Sequence, residues 1–445
     1  MSTSSRRSIE APRPRPLRIF IATAAGTVVG LVGLTRLSTT EAPARATHPV
    51  PEAAAADHSA APEDALADLS REAEEPATPR DETSSNAEAP LSEELQASMT
   101  RLASALALLT DGGTAGARTT AIREWKSGLQ GLGALGSQGI PAILRFLAEG
   151  TDLHFGPELR AELGHTSART GLMQVLRGIG GPEAVAAMGQ LLEQTRSYQE
   201  LAVMAQGLEE ADPGMHRDRI RERARAELAA ASAAPIDASA EPTDAAALFE
   251  VLGHYGGAES AQDLEAAAER WKYYATSALA RLPEGAGVPS LIRLADPNLP
   301  GSQRLQALQV LAELAPANEA ARDYLITQTS SGGIHPEHWS YLRQPLSGNQ
   351  YFVADAVLTE YPPVNDWTDI QTVHIRSGNQ TLHSIPSASS QTTDGVQRHL
   401  ALIDQLLGFA PGGAAQTSLR EARQVLEGRM QRATVSAPAF TTENP

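Results

Sequence analysis

The chain has 445 residues, a formal net charge of −17, no cysteine and an aromatic content of only 4%. The negative charge argues against a nucleic-acid partner, because phosphate recognition requires a clustered basic surface. The lack of cysteine excludes disulfides, thiolate nucleophiles and cysteine-ligated metal centres. Since aromatic residues are scarce and the hydrophobic share is 42%, alanine and leucine must carry the packing, which favours an all-α fold.

The N-terminal region predicts membrane attachment. Residues 1–18 form a basic tail, and residues 19–35 form an uncharged apolar segment that is about 25 Å long as a helix. A basic flank before such a segment predicts a single pass through the inner membrane, with the domain that follows in the periplasm. The alternative is a signal peptide cleaved near residues 44–46, which would release a secreted protein.

Small residues recur within the apolar segment. Ala22, Gly26 and Gly30 are four residues apart, so a helix would place them on one face, where a second helix could approach closely. This spacing predicts a homodimer through the membrane helix; the alternative is that alanine and glycine are simply frequent here. Residues 36–90 are rich in Ala, Pro and acidic residues, which predicts a disordered acidic linker.

A recurring helix start marks the central part of the chain. The segments GIPAILRFL (139–147) and GVPSLIRLA (287–295) each begin with a glycine, place a proline two residues later and continue with apolar residues at helical spacing. Related starts follow Gly180 and Gly256. Because an amphipathic segment precedes each start, the repeating unit is helix, turn, helix.

This succession resembles HEAT-like repeats, including the short variety known from phycobilisome lyases. The resemblance covers residues 120–327 and implies a right-handed α-solenoid within a helical domain of residues 91–330, in which helix pairs pack on their neighbours. A charged helix and a low-complexity run predict an interruption near 213–242. The alternative fold is a non-repetitive helical bundle.

Residues 331–390 form an aromatic-rich, irregular segment. Exposed aromatic side chains commonly anchor protein interfaces. We therefore predict partner binding by Trp339, Tyr341, Tyr351 and Trp367. The alternative is that the aromatic residues close the open end of the helical array.

A short β-hairpin is predicted inside this segment. Residues 372–385 alternate with period two around a Gly-Asn pair, and this register pairs Ile375 with Leu382 and His374 with His383. Two histidines without a nearby carboxylate make an incomplete metal site. No metal or cofactor is therefore predicted.

The C-terminal part returns to helix. Residues 391–432 predict a helical pair, and residues 433–445 a loose tail. No phosphate loop, dinucleotide motif or G-x-S-x-G elbow occurs, so no catalytic residue is predicted. We expect a membrane-anchored, exported scaffold that binds another protein; the alternatives are a hydrolase or lyase with a site in 331–385, or a periplasmic assembly or folding helper.

Overall fold

The structure is a computed structural model. It describes residues 93–110, 114–149, 152–235, 244–299, 301–353, 357–358, 373–377 and 380–436. The predicted basic tail, membrane segment and linker lie outside these residues, as do Ala22, Gly26, Gly30 and Trp367. Across the described part of the chain, no helix is both long enough and apolar enough to cross a membrane.

The described residues form α-helices and one small antiparallel sheet, so the expected predominance of helix is confirmed. The first eight helices are α1 (Glu93–Thr110), α2 (Ala115–Ala134), α3 (Ile140–Ala148), α4 (Pro157–Leu163), α5 (Ala168–Ile179), α6 (Gly181–Gln194), α7 (Tyr198–Ala211) and α8 (Arg217–Ala233). The next nine are α9 (Ala246–Tyr255), α10 (Ala258–Ala267), α11 (Lys272–Arg281), α12 (Val288–Leu294), α13 (Gly301–Leu314), α14 (Glu319–Ser330), α15 (Trp339–Leu346), α16 (Thr393–Phe409) and α17 (Ala414–Ser436). The strands are β1 (Asn349–Val353), β2 (Val373–Ser377) and β3 (Gln380–Pro386).

The predicted proline starts are confirmed. Helices α3 and α12 both carry proline in their first turn, where the missing N–H would have no helical partner. The apolar residues Ile140, Ile143 and Leu147 of α3 are buried, as the helical spacing predicts. The C-terminal tail is shorter than predicted, because α17 continues to Ser436.

The glycines before α3 and α12 are required by close packing and not by a left-handed turn. A Cβ at Gly287 would lie 2.1 Å from the carbonyl oxygen of Leu279 in α11, and a Cβ at Gly139 would lie 2.8 Å from that of Leu132 in α2. Both glycines have ordinary negative φ values, −85° and −77°. The same step between helices therefore occurs twice, with the same local reason for glycine.

The helices from α5 onward form two rows of neighbours. Helices α5, α7, α9, α11, α13, α15 and α17 each contact the next in that series, which we call the odd row. Helices α6, α8, α10, α12, α14 and α16 do the same and form the even row. Most helices also pack on their successor in the other row, so the apolar side chains of both rows form one core.

Ion pairs connect neighbours within the even row. These pairs join α6 to α8, α8 to α10 and α10 to α12 through Arg219 and Glu193, Arg225 and Asp263, and Arg293 and Glu265. All of these side chains are partly exposed, so each pair contributes about 1 kcal/mol at most. Burial of apolar side chains therefore contributes more than these ion pairs to the packing of the even row.

Helical packing continues into the segment predicted to interrupt the array. Helix α8 buries Ile220, Ala224 and Leu228 and contacts α6, α7, α9 and α10. Every fourth residue is apolar and supplies the buried stripe, while the partly covered Arg223 donates hydrogen bonds to the Leu192 and Thr195 carbonyls. The low-complexity run begins within the last turns of α8, and its residues 236–242 lie outside the described part of the chain.

The three strands are arranged in the order β1-β3-β2. The predicted register between β2 and β3 is confirmed, with Ile375 opposite Leu382 and His374 opposite His383. The two turn residues between these strands lie outside the described residues. Strand β1 was not predicted, and it pairs with β3 along the other edge.

The sheet packs along the odd row. Strand β1 contacts α9, α11, α13 and α15, and the side chain of Gln380 in β3 accepts hydrogen bonds from the first N–H groups of α11, at Tyr273 (3.1 Å) and Tyr274 (3.4 Å). The residue before α11, Trp271, has no side-chain acceptor for these groups. A glutamine far away in the chain therefore caps this helix.

Two of the predicted partner-binding aromatics are core residues. Trp339 and Tyr351 are each only 2% exposed, and Gln309 donates a hydrogen bond to the Tyr351 hydroxyl at 2.8 Å. The prediction is wrong for both, because α15 continues the odd row and β1 packs against its helices. Tyr341 points outward and is 55% exposed.

Candidate functional site

A polar cleft lies where β1 meets the helices. It has a volume of about 470 Å³ and is bounded by the α11–α12 connection, the end of α13, β1, the residues after β3 and α16. The polar side chains that matter for its chemistry are Glu284, Glu313, Asn318, Gln350, Ser387 and His399. We call this feature the Glu313 cleft.

Glu313 lies near the end of α13. It faces the edge of β1 that does not pair with β3. Its carboxylate accepts a hydrogen bond from the backbone N–H of Tyr351 at 3.1 Å, while Arg281 of α11 donates to the Tyr351 carbonyl at 3.0 Å. Two helices therefore satisfy the N–H and C=O groups that β1 does not use in pairing with β3. The side chain of Gln350 also lies close enough to lower the pKa of Glu313.

The surroundings of Glu313 favour its neutral form. Burial raises the pKa of Glu313 to about 7, although the hydrogen bonds from Tyr351 and Gln350 and the charge of Arg281 act in the opposite direction. A carboxyl group with this pKa exchanges its proton near neutral pH. Such groups occur often at sites of proton transfer and ligand binding.

His399 faces the same cleft from α16. The residue is 4% exposed, and its Nδ1 atom has no hydrogen-bond partner among the described residues. Burial lowers the pKa of His399 to about 4, assisted by the charges of Arg429 and Arg398 and opposed by a hydrogen bond to the Leu346 backbone. The ring is therefore neutral at pH 7, with a buried nitrogen that lacks a partner, which is rare in folded proteins.

The connection between α11 and α12 supplies a strained residue to the cleft. Glu284 has φ of 56° and is the one non-glycine residue with positive φ in the described part of the chain. The next residue, Gly285, is also left-handed, and a Cβ there would lie 2.7 Å from the Asn318 side-chain nitrogen. Strained residues of this kind cluster at functional sites.

The charge balance of the lining is negative. Glu284 and Glu313 are the charged side chains that line the cleft, and neither lysine nor arginine does so among the described residues. No group of three His, Cys, Asp or Glu side chains in those residues is close enough to hold a metal ion. The cleft therefore offers hydrogen-bond acceptors to a ligand and has no arrangement for a metal.

The predicted site residues overlap little with this cleft. Within the predicted segment 331–385, Asn349 and Gln350 line it, whereas Tyr341 does not. Glu313 and His399 were missed, because they lie on helices far apart in the chain and no local motif links them. The one feature of the sequence that points to Glu313 and His399 is indirect, because each is a polar residue close to the apolar stripe of its helix.

Comparison of the chain with family models, curated proteins and solved structures yields no match.

Proposed function

We propose that the chain is an α-solenoid binding protein that resembles HEAT-like repeats and holds a partner at the Glu313 cleft. The two rows support the solenoid, because each helix contacts the next helix of its own row, as stacked helix pairs do. The solenoid is right-handed in this proposal. Repeat arrays of this kind commonly present extended surfaces to other proteins.

The observation that carries the binding role is the composition of the cleft. Glu284, Glu313 and His399 converge there from three separate elements, and none of the three is needed to fill the apolar core. A cleft with a few convergent polar groups and perturbed pKa values is the usual form of a binding site. The partner we propose is another protein.

A photo-crosslinking amino acid at Ala317 tests this role. Ala317 is exposed and lines the cleft, whereas Ala320, an exposed residue in α14, does not line it and serves as the matched control. We expect a discrete crosslinked adduct in intact cells from position 317 and none from position 320. Equal adducts from both positions, or none from either, would contradict the proposal.

We also propose a cellular location for the protein, based on its N-terminal segment. Residues 19–35 anchor the chain in the inner membrane, Ala22, Gly26 and Gly30 allow two copies to pair, and the helical domain lies in the periplasm. Protease should digest the helical domain once the outer membrane alone is opened. Digestion only after the inner membrane is disrupted would show that the domain is not exported.

A second candidate function is acid–base catalysis of the hydrolase or lyase type. The observation in its favour is that a carboxyl group with a pKa of about 7 shares a cleft with a neutral, buried histidine. A general base works best when its pKa is close to the working pH. Turnover of any hydrolase or lyase substrate that disappears in Glu313→Gln would favour this function over binding alone.

A further inference from the structure

We propose that the Glu313 cleft binds an organic ammonium group, with the Glu313 carboxylate as its counter-ion. The ammonium belongs to a lysine side chain of a partner or to a free primary amine. This inference rests on the proposed function, because it assigns a ligand chemistry to the same cleft. An ammonium group is a donor of three hydrogen bonds and accepts none.

The first argument is the match between donors and acceptors. Glu284 contributes an exposed carboxylate at the rim and Glu313 a half-buried one inside, without a lining lysine or arginine among the described residues to neutralise them. Arg281 acts on Glu313 through its charge and also donates a hydrogen bond to the Tyr351 carbonyl, so it offsets only one of the two carboxylates. A ligand cation would therefore complete the charge balance of the cleft.

The second argument is independent of the carboxylates. A neutral histidine ring has one nitrogen that donates and one that accepts. The Nδ1 atom of His399 has no hydrogen-bond partner among the described residues, and the tautomer that carries its proton on Nε2 leaves Nδ1 as an acceptor. A buried acceptor without a donor costs about 1–3 kcal/mol. The His399 ring lines the cleft, so a ligand N–H bound there would lie beside the ring that carries this acceptor.

The groups that face Glu313 determine how binding depends on pH. They are Arg281 from α11, Tyr351 and Gln350 from β1, and Glu284 and His399 across the cleft. The tyrosine pKa is raised and the histidine pKa is lowered to about 4, so neither changes its charge between pH 6 and 8. Glu313, whose pKa is about 7, is the group that titrates in this range.

Ammonium binding therefore releases a proton below neutral pH. The ligand requires the ionised carboxylate, whereas the free cleft at pH 6 holds the neutral acid in most molecules. The ammonium itself stays charged, because its pKa is about 10.4. Affinity should fall about tenfold from pH 8 to pH 6, since the ionised fraction of Glu313 falls by that factor.

Calorimetric titration of the full chain tests the inference. The probes are lysine capped at both ends, n-butylamine, and the same capped lysine acetylated on Nζ as a neutral control. Glu313→Gln keeps an oxygen for the Tyr351 N–H and so protects the fold. Glu284→Gln alters the exposed rim, and Glu319→Gln, on α14 outside the cleft, is the matched control.

We expect both amines to bind the wild-type protein, with an affinity that is about tenfold lower at pH 6 than at pH 8. The heat of binding at pH 6 should vary with the buffer, because the buffer takes up the proton that is released. Glu313→Gln should weaken binding at pH 8 by about tenfold or more and abolish the pH dependence. Glu284→Gln should have a smaller effect, and Glu319→Gln none. Equal binding of acetylated lysine, unchanged binding by Glu313→Gln, or no amine binding at about 10 mM would overturn the inference.

The two probes also separate the two sources of the ammonium. Tighter binding of capped lysine than of n-butylamine indicates a protein side chain, and the reverse indicates a free amine. If the crosslinker at Ala317 captures a partner but neither amine binds, the ammonium inference fails and the proposed function stands. If the amines bind and no partner is crosslinked, the proposed protein partner fails and the ligand chemistry stands.

Discussion

The carboxylate of Glu313 accepts a hydrogen bond at 3.1 Å from the backbone N–H of Tyr351. This contact joins α13 to the edge of β1 that does not pair with β3. It gives Glu313 two roles, because the same side chain docks the sheet and lines the cleft. The proposed ligand binding and the docking of the sheet therefore involve the same residue.

Removal of the Glu313 acceptor should destabilise the fold. Glu313→Ala leaves the Tyr351 N–H without its partner, at a cost of about 1–3 kcal/mol in the free energy of unfolding. Glu313→Gln retains an oxygen at that position and should cost less. Denaturant unfolding of both variants provides the measurement, and an equal loss in the two would contradict the docking role.

A buried ion pair holds α5 to α7. Arg169 donates to the Glu200 carboxylate at 2.6 Å, and Glu200 also accepts from the Thr195 hydroxyl at 2.6 Å. Glu200→Ala removes the hydrogen-bonded counter-charge of the largely buried Arg169 and leaves only Asp152 as a nearby carboxylate, so it should cost up to about 3 kcal/mol. Glu193→Ala, which breaks the exposed pair with Arg219, should cost about 1 kcal/mol or less by the same unfolding measurement.

Two buried histidines should make the domain sensitive to acid. Burial lowers the pKa of His165 and of His399 from 6.5 to about 4. The unfolded chain therefore binds more protons between pH 6.5 and 4, so the stabilisation is complete above pH 6.5 and is lost as the pH falls towards 4. Each shift corresponds to about 3 kcal/mol at most.

Glu313 acts in the opposite direction. Its pKa is raised from 4.5 to about 7, so its contribution is complete below pH 4.5 and is lost as the pH rises to 7. Two histidines outweigh one glutamate, and we expect the free energy of unfolding to fall on acidification from pH 7 to 4.5. His165 accepts a hydrogen bond from Trp125 at 2.8 Å. His165→Gln should reduce the fall in stability on acidification. An unchanged pH profile would contradict the lowered pKa of His165.

Glycine substitutions should separate close packing from helix propensity. Gly287→Ala places a methyl group 2.1 Å from the Leu279 carbonyl, which forces the backbone apart and should cost about 3 kcal/mol or more. Gly178, within α5, has no atom within 4 Å of its hypothetical Cβ. Gly178→Ala should therefore stabilise the protein by about 0.5–1 kcal/mol. Thermal unfolding curves would show shifts of opposite sign, and shifts of the same sign would refute the packing argument.

Local patterns in the sequence were sufficient for the helix starts and for one strand register. Pro141 and Pro289 mark first turns because proline has no N–H to lose there, and this depends only on adjacent residues. Ile375 lies opposite Leu382 because period-two alternation around a short turn permits one register that keeps each face consistent. Both outcomes follow from chemistry within about a dozen residues.

Contacts between distant residues decided the rest. Gln380 caps α11 from a strand far along the chain, and the sequence around α11 has no sign of that partner. Trp339 and Tyr351 are of residue types that are common at protein interfaces, but packing along the odd row buries both side chains. Burial depends on which elements pack together, and a side chain of the same type can lie in either environment.

The sequence by itself determined the helical class, the recurring two-helix step and the pairing of β2 with β3, because periodicity and turn chemistry act locally. Only the tertiary structure decided that Glu313 and His399 share one cleft, since their proximity arises from the packing of α13, β1 and α16. The same packing sets their pKa values, because desolvation depends on atoms supplied by several elements.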